Sequence, residues 1–569
     1  MQILRYLKKA VMNQQVLFWT FLLMLILPNL FMLYTESTSV LTRIINVLLP
    51  WTFFWLCMTF FKKPGKGFWA LFIFIFFAAF DIVLLYLFGE GPVAVDMFLN
   101  VTTTNVTEVD ELLSNLLVSV VFVFVVYGGG IALSIVSLRN KEQLGALFRS
   151  NQRKMALLLA VPVLGLLGYN YATNSKFKLL DDIFPVNTCY NLLLSVERYA
   201  NGLNYENTVQ NFVYHATTER PDSVPEVYVL IIGETVRADN MGIYGYERKT
   251  TPALDSLRDQ IVVYRDAITM SNTTHKSVPM LLTPIACEVW DSLYHQRGVI
   301  TAFNEVGYQT AFFSNQRRNH SFIDAMGCEA HESVFIKDDV PVGESVSDEE
   351  LLKLVDKRLA SYDGGKLLLV LHCYGSHFNY RDRYTAEDAV FRPDEILSAE
   401  AVYRKELINA YDNTIHFTDR LVGTVIDRVR QLGVPGAVVF TSDHGEDIFD
   451  DSRGRFLHAS PFPTYFQLRV PLVVWASEQY RASHPDKWQA LMAHKDIPVS
   501  TNCVVFHTLL DMGGIDVPQL RREHALSSGD YKASQRLYVN DHNEYRPLDN
   551  CGLKRQDVEQ FHAHGLQYP

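Results

Sequence analysis

A basic stripe is missing from the soluble part of this chain. The whole chain carries 51 Lys and Arg against 62 Asp and Glu, a formal net charge of -11. That balance excludes general nucleic-acid binding, so no nucleic acid is expected among its partners. Internal repeats and low-complexity tracts are absent too. The seven cysteines form no C-x-x-C pair and no regular framework. Cys57 falls in an apolar run; among Cys189, Cys287, Cys328, Cys373, Cys503 and Cys551 one bridge is compatible with an oxidising compartment, and buried free thiols are the alternative.

Charge is also scarce over long stretches before residue 172. Five segments there are apolar enough to span a bilayer: about 16–34, 40–61, 67–88, 113–137 and 155–172. A span needs roughly 20 apolar residues, and the fifth is the shortest. The first is too long for a signal peptide, and no small-residue cleavage site follows it. Asp81 lies inside the third, as a helix-packing or functional polar group. The segment 89–112 has no Lys or Arg but contains Glu90, Asp96, Glu108, Asp110 and Glu111. Basic residues sit instead before the first span (Arg5, Lys8, Lys9), between the second and third (Lys62, Lys63, Lys66), and between the fourth and fifth (Arg139, Lys141, Arg149, Arg153, Lys154). This alternation places the N-terminus in the cytoplasm and everything after 172 outside it.

The expected organisation is a five-helix transmembrane domain at 1–172, a linker at 173–222 and a soluble domain at 223–569. The linker contains N-L-L-L-S-V-E-R-Y, which reads as a helix on the membrane face or as an ordinary connector. Beyond it, strand patterns at 226–233, 309–314, 366–372, 436–441 and 470–475 alternate with helical patterns at 252–260, 295–306, 347–361, 402–430 and 497–511. That alternation implies an α/β domain with a largely parallel sheet covered on both faces.

Two of the strands end abruptly in ligand-type residues. The run E-V-Y-V-L-I-I-G-E delivers Glu234, and V-V-F-T-S-D-H-G-E delivers Asp443 and His444. Carboxylates at strand ends point to a metal at the sheet rim. His377 and His458 add imidazole nitrogens. Mixed carboxylate and imidazole ligation suits zinc best, with manganese second. Thr274, in S-N-T-T-H-K-S-V-P just before a helical pattern at 275–282, fits a nucleophile: its hydroxyl at a helix start faces N–H groups that favour a phosphoryl group, and a cation would make its alkoxide accessible. Taken singly, each residue has a plainer reading. Asp443 would cap a turn, Thr274 would cap a helix, His377 would be a loop residue and His458 a half-buried one. Asp447, Asp450 and Asp451 read as a solvated acidic loop.

The ordered set resembles the phosphoethanolamine transferases of Gram-negative envelopes, members of the alkaline phosphatase/sulfatase superfamily. The resemblance rests on the five spans, I-G-E-T-V-R-A-D-N-M-G-I-Y-G-Y at 232–246, T-H-K-S-V-P at 274–279, G-S-H at 375–377, A-Y-D-N-T at 410–414 and S-D-H-G-E at 442–446. It implies an α/β/α sandwich in the periplasm, anchored in the inner membrane. It implies that Glu234, Thr274, Asp443 and His444 bind zinc, that Thr274 is the nucleophile, and that His377 and His458 bind the phosphoryl group or a second metal. It further implies a phosphatidylethanolamine donor, a lipopolysaccharide or lipid A acceptor, and headgroup contacts from Asn100, Thr104 and Glu108. An anionic Glu108 near a cationic amine makes electrostatic sense; a polar helix cap above the membrane is the alternative.

The chain departs from the family in two places. Met280 stands where lipid A modifying members usually have Cys after S-V-P, and F-F-S-N-Q-R-R-N at 312–319 replaces a W-R-D-N-N stretch, leaving Arg317, Arg318 and His320 as contacts for an anionic acceptor or as plain surface. A phosphoglycerol transferase of the same superfamily is the nearest rival. A sulfatase is disfavoured because Leu281 replaces the arginine of S-x-P-x-R. A non-catalytic lipid-binding envelope sensor is the rival of another class, and it has no use for a hydroxyl beside three metal ligands.

Overall fold

The computed structural model describes residues 13–34, 38–88, 93–103, 117–221, 223–287, 289–341 and 344–569. They fall into two compact units, one within Met1–Leu99 and Leu112–Val196, the other within Asn100–Glu111 and Glu197–Pro569.

The first unit is helical. Among the described residues, Gln14–Tyr34, Val40–Met58, Ser119–Arg139 and Ala146–Thr173 are long and apolar enough to cross a membrane. The third expected span differs from a single rod. It is a pair of helices, Pro64–Ala70 and Phe72–Tyr86, bent by 71° at Leu71. Counted as one span, the pair brings the total to five. Polar side chains stitch the helices where hydrocarbon offers them no other partner: Asn29 Nδ2 donates to Asn46 O and Oδ1, and Gln14 pairs with Ser137.

The second unit is built on a seven-stranded sheet. Its strands are β1 (Glu226–Gly233), β2 (Ile261–Val263), β3 (Gln309–Ser314), β4 (Glu332–Phe335), β5 (Lys366–His372), β6 (Gly436–Ser442) and β7 (Leu472–Ala476), in spatial order β2-β7-β6-β1-β5-β3-β4. The run β6-β1-β5-β3-β4 is parallel, and β7 runs antiparallel to both β6 and β2. The five strands expected from sequence are all present; the short β2 and β4, at the two edges, were not expected.

Apolar residues on both faces of β1 explain its central place. Val227, Val229 and Ile231 pack with Leu351, Val355, Leu407 and Leu421 from helices Glu349–Ala360 and Arg404–Gln431. Tyr228, Leu230 and Ile232 pack on the opposite side with Phe303, Val504 and Leu509. A strand buried on both faces reads as a continuous apolar run, because period-two alternation then carries no polar half.

The amino end of β1 holds a buried ion pair. Arg220 Nη1 donates to both oxygens of Glu226, at 2.7 and 2.8 Å, and Tyr308 Oη donates to Glu226 Oε2. Arg220→Met would strand that carboxylate. We expect a loss of roughly 3–5 kcal/mol, seen as a lower apparent melting temperature of the detergent-solubilised protein.

Two other carboxyls, the half-buried Glu329 and the buried Asp419, cap helices. Glu329 accepts from Gly298 N and Thr301 Oγ1, and Asp419 accepts from Ala253 N and Leu254 N. Burial pushes each up to about 7. An acid raised on folding holds a proton that the unfolded chain has already released, so stability falls as pH rises from about 4 to about 7 and levels off above. The expected loss is on the order of a few kcal/mol for each group. Melting temperatures across pH 5 to 8 check it: Glu329→Gln should flatten the profile, and a profile unchanged by that substitution contradicts the assignment.

Candidate active site

The register of the parallel strands fixes where the site lies. Gly233 of β1 pairs with Ser442 of β6, Ile232 with His372 of β5, and His372 in turn with Ser314 of β3. These strands therefore stop side by side at their carboxyl ends. Glu234 and Asp443, each the first residue past its strand, emerge next to one another. In open α/β sheets this rim is where ligands bind.

Thr274 opens the helix Thr274–Leu282. Its Oγ1 lies 3.3 and 3.2 Å from the two Glu234 oxygens and 3.1 Å from His444 Nε2. His444 Nδ1 lies 2.9 Å from Gly445 O. A carbonyl only accepts, so the ring proton is on Nδ1 and Nε2 presents a lone pair. That lone pair faces Asp443 Oδ2 at 3.2 Å and Glu234 Oε1 at 3.5 Å. Asp443 Oδ2 is buried and has no hydrogen-bond partner. Three buried acceptors pointed at one another repel unless a cation sits among them, and the hydroxyl of Thr274 completes the set. The donor set fits a zinc ion.

The same crowding appears in the acid–base behaviour. Burial and the charge of Asp443 hold Glu234 well above the usual carboxylate range, and burial raises Asp443 as well. Burial and then His458 push His444 well below its ordinary value, keeping it neutral and able to ligate.

His458 stands inside this cluster. One ligand atom from each of Glu234, His444 and His458 lies within 4.8 Å of the other two. The His444 and His458 rings are 4.3 Å apart, and Glu446 Oε2 is 3.5 Å from His458 Nδ1. Both neighbours of His458, Leu457 and Ala459, hold positive φ values of 67° and 60°. Such strain in non-glycine residues collects at functional sites.

His377 lies one ring further out, 5.5 Å from His458. It stacks on Tyr374 at 5.1 Å, and its Nδ1 lies 2.6 Å from Phe378 O. Arg383 holds this loop by donating to His377 O and Phe378 O. Burial, His458 and Arg383, in that order, push His377 well below its ordinary value. The loop comes close to β1: a Cβ on Gly375, whose φ is +47°, would sit 2.7 Å from Glu234 O. Only glycine allows that approach.

One expectation needs correction, and two alternatives left open by the sequence can be compared with the structure. The acidic run after the D-H-G turn is not solvated. Asp447 is buried and accepts from Thr464 Oγ1 and Gln467 Nε2, the Asp450 carboxylate is enclosed between Arg237 and Arg404, and the half-buried Asp451 binds Arg453. Cys503 is disulfide-bonded, whereas Cys57, Cys189, Cys328, Cys373 and Cys551 are free. Arg317, Arg318 and His320 line an open cavity of about 670 Å³ with Tyr205 and Cys328, but Arg318 pairs with Asp338 and Arg317 donates to Val340 O. Asn100 belongs to the helix Val95–Thr103; Thr104 and Glu108 lie outside the described residues.

Sequence reasoning missed Gln316, Glu446 and His372. Glu446 stands inside S-D-H-G-E, two residues after a ligand-type histidine, and that spacing was a usable signal. Gln316 had only its place two residues beyond β3 to mark it.

The sulfatase family matches residues 226–515, just over half of the chain. The chain is 29% identical over 284 residues to the Kdo(2)-lipid A phosphoethanolamine 7''-transferase of Escherichia coli (strain K12), covering 48% of either protein. It thus spans about half the length of the curated relatives it matches. Its fold is similar to that of the integral membrane protein lipooligosaccharide phosphoethanolamine transferase A of Neisseria meningitidis, with a TM-score of 0.69 at 20% identity over 91% of this chain and 96% of that one. A zinc complex of the C-terminal periplasmic domain of EptC from Escherichia coli gives a TM-score of 0.53 at 24% identity, over 59% of this chain and 98% of that one. The match begins at the first residue of the central strand that carries Glu234 to the rim and ends just beyond the helix Thr501–Gly513, so behind its N-terminal apolar helices this chain belongs to the sulfatase family.

Proposed function

We propose that this protein transfers phosphoethanolamine from phosphatidylethanolamine to a phosphate or sugar hydroxyl of lipopolysaccharide, in lipid A or the core. The observation that carries the reading is the convergence of Thr274 Oγ1 on Glu234 and His444 beside the unpartnered Asp443 Oδ2. A hydroxyl placed among buried acceptors at a helix start is built to attack phosphorus, and a binding module has no need of it. The relatives named for phosphoethanolamine transfer favour this donor class over phosphatidylglycerol. The apolar helices of the first unit favour an inner-membrane protein with residues 1–172 as its anchor, 173–222 as a linker and 223–569 as a periplasmic catalytic domain.

The reaction is a double displacement. Thr274 Oγ attacks the donor phosphorus; the new Oγ–P bond forms as the bond from phosphorus to the glycerol oxygen breaks. Diacylglycerol leaves with the proton that the threonine gave up. An oxygen of the acceptor then attacks the same phosphorus, and Thr274 takes a proton back as it is released. A zinc ion held by Glu234, Thr274, Asp443 and His444 would lower the pKa of the hydroxyl and offset charge developing on the phosphoryl oxygens. His458, against His444, and His377, one ring further out, bind the non-bridging oxygens of the phosphoryl group. Asn100, Thr104 and Glu108 hold the headgroup amine and so position the phosphorus.

Thr274→Ala should lower transfer by several orders of magnitude while zinc stays largely bound by the charged and imidazole ligands Glu234, Asp443 and His444. Mass spectrometry of wild type incubated with phosphatidylethanolamine should find the phosphoethanolamine adduct on Thr274; an adduct on Thr273 or Ser277 contradicts the assignment. Asp443→Asn and His444→Ala should each lose metal together with activity, because each removes one of few ligands. Elemental analysis reads this directly, and full zinc occupancy in both variants would leave the D-H-G turn a purely structural feature.

A further inference from the structure

Beyond the ligand set, one side chain reaches the site from a strand that contributes no ligand. Gln316 lies two residues past the end of β3. Its Nε2 is 3.1 Å from Glu234 Oε2, 3.4 Å from Cys373 O and 3.5 Å from His372 Nε2. Glu234 Oε2 and Cys373 O can only accept, so the amide nitrogen, not the amide oxygen, is turned toward them. Behind it, Ser314 Oγ accepts from Gln316 N at 3.1 Å and lies 3.1 Å from His372 Nδ1. His372 is fully buried and pushed down to about 4, first by burial, so it stays neutral.

The consequence for Glu234 is geometric. Thr274 Oγ1 approaches both of its oxygens, and His444 Nε2 approaches Oε1. A carboxylate on a flexible side chain can rotate about its last bond and exchange these roles. An amide donor fixed on Oε2 removes that freedom. It also gives a charged oxygen a neutral partner without adding a competing charge.

We propose that Gln316 is a positioning residue of the metal centre. Its carboxamide, oriented by Cys373 O and the His372–Ser314 pair, fixes the Glu234 carboxylate so that Oε1 is presented to a divalent cation. This rests on reading Glu234 as a ligand. It adds that β3, the fourth strand along the rim, acts on the site through β1.

The test uses the full-length protein in detergent micelles and zinc alone as the probe. Gln316→Met keeps the length of the side chain and removes the donor; Gln316→Glu keeps the shape and replaces the donor with an acceptor. Competition against a chelator should show zinc bound roughly 10–100-fold more weakly by Gln316→Met, and more weakly still by Gln316→Glu. The melting temperature at saturating zinc should match the wild type, and turnover of phosphatidylethanolamine should recover with added zinc. Wild-type zinc affinity in Gln316→Met, with turnover lost and not restored by zinc, would overturn the proposal and place Gln316 against the substrate. A melting temperature that stays low in saturating zinc would overturn it in favour of a structural role. A wild-type protein that binds no zinc would overturn the metal reading itself, and this proposal with it.

Discussion

Everything at the rim depends on the parallel register of β6, β1 and β5. Gly233, Ser442 and His372 are tied by backbone ladders whose position follows from burial on both faces. A slip of one residue would exchange Val227, Val229 and Ile231 with Tyr228, Leu230 and Ile232 and place each set against the wrong helices. The hydrophobic core thus sets the coordinates of Glu234 and Asp443. The strands beneath them are anchored along their whole length, so the backbone from which each side chain leaves is fixed.

The electrostatics of the site run against that core. Placing two carboxylates and a neutral imidazole in a buried space is unfavourable for the folded chain by itself. Hydrogen bonds offset part of it: Thr235 N and His444 N donate to Asp443 Oδ1, and Ser277 Oγ donates to Asp443 O. That last bond also ties the helix carrying Thr274 to the strand end carrying Asp443. Asn502 supports it in turn by donating to Ser277 O and Oγ. The remaining unfavourable contact, around Asp443 Oδ2, is the feature that a cation resolves.

Much of this was legible in the sequence because it is local. An apolar run ending in Gly-Glu or Ser-Asp-His states both the strand and the ligand it delivers. The helices over 349–360, 404–431 and 501–513 likewise followed from their own periodicity. What escaped depends on distant partners. Three-residue β2 and four-residue β4 have too little pattern of their own and form by pairing at the sheet edges. Asp447 and Asp450 look solvated until Gln467, Arg237 and Arg404 arrive from elsewhere in the chain. The bend at Leu71 has neither proline nor charge at that residue to announce it.

The backbone on either side of His458 carries a further meaning. Leu457 and Ala459 both sit in the left-handed region, where side chains with a Cβ are held only by what surrounds them. Gln467 Nε2 donates to Leu457 O, and Ala459 N donates to Asn272 O, so this segment is tied to the short helix Tyr465–Leu468 on one side and to the segment just before Thr274 on the other. It is strung like a drawn bow, and the imidazole is its tip. A ligand that engages His458 would supply what the segment's own conformational preferences withhold.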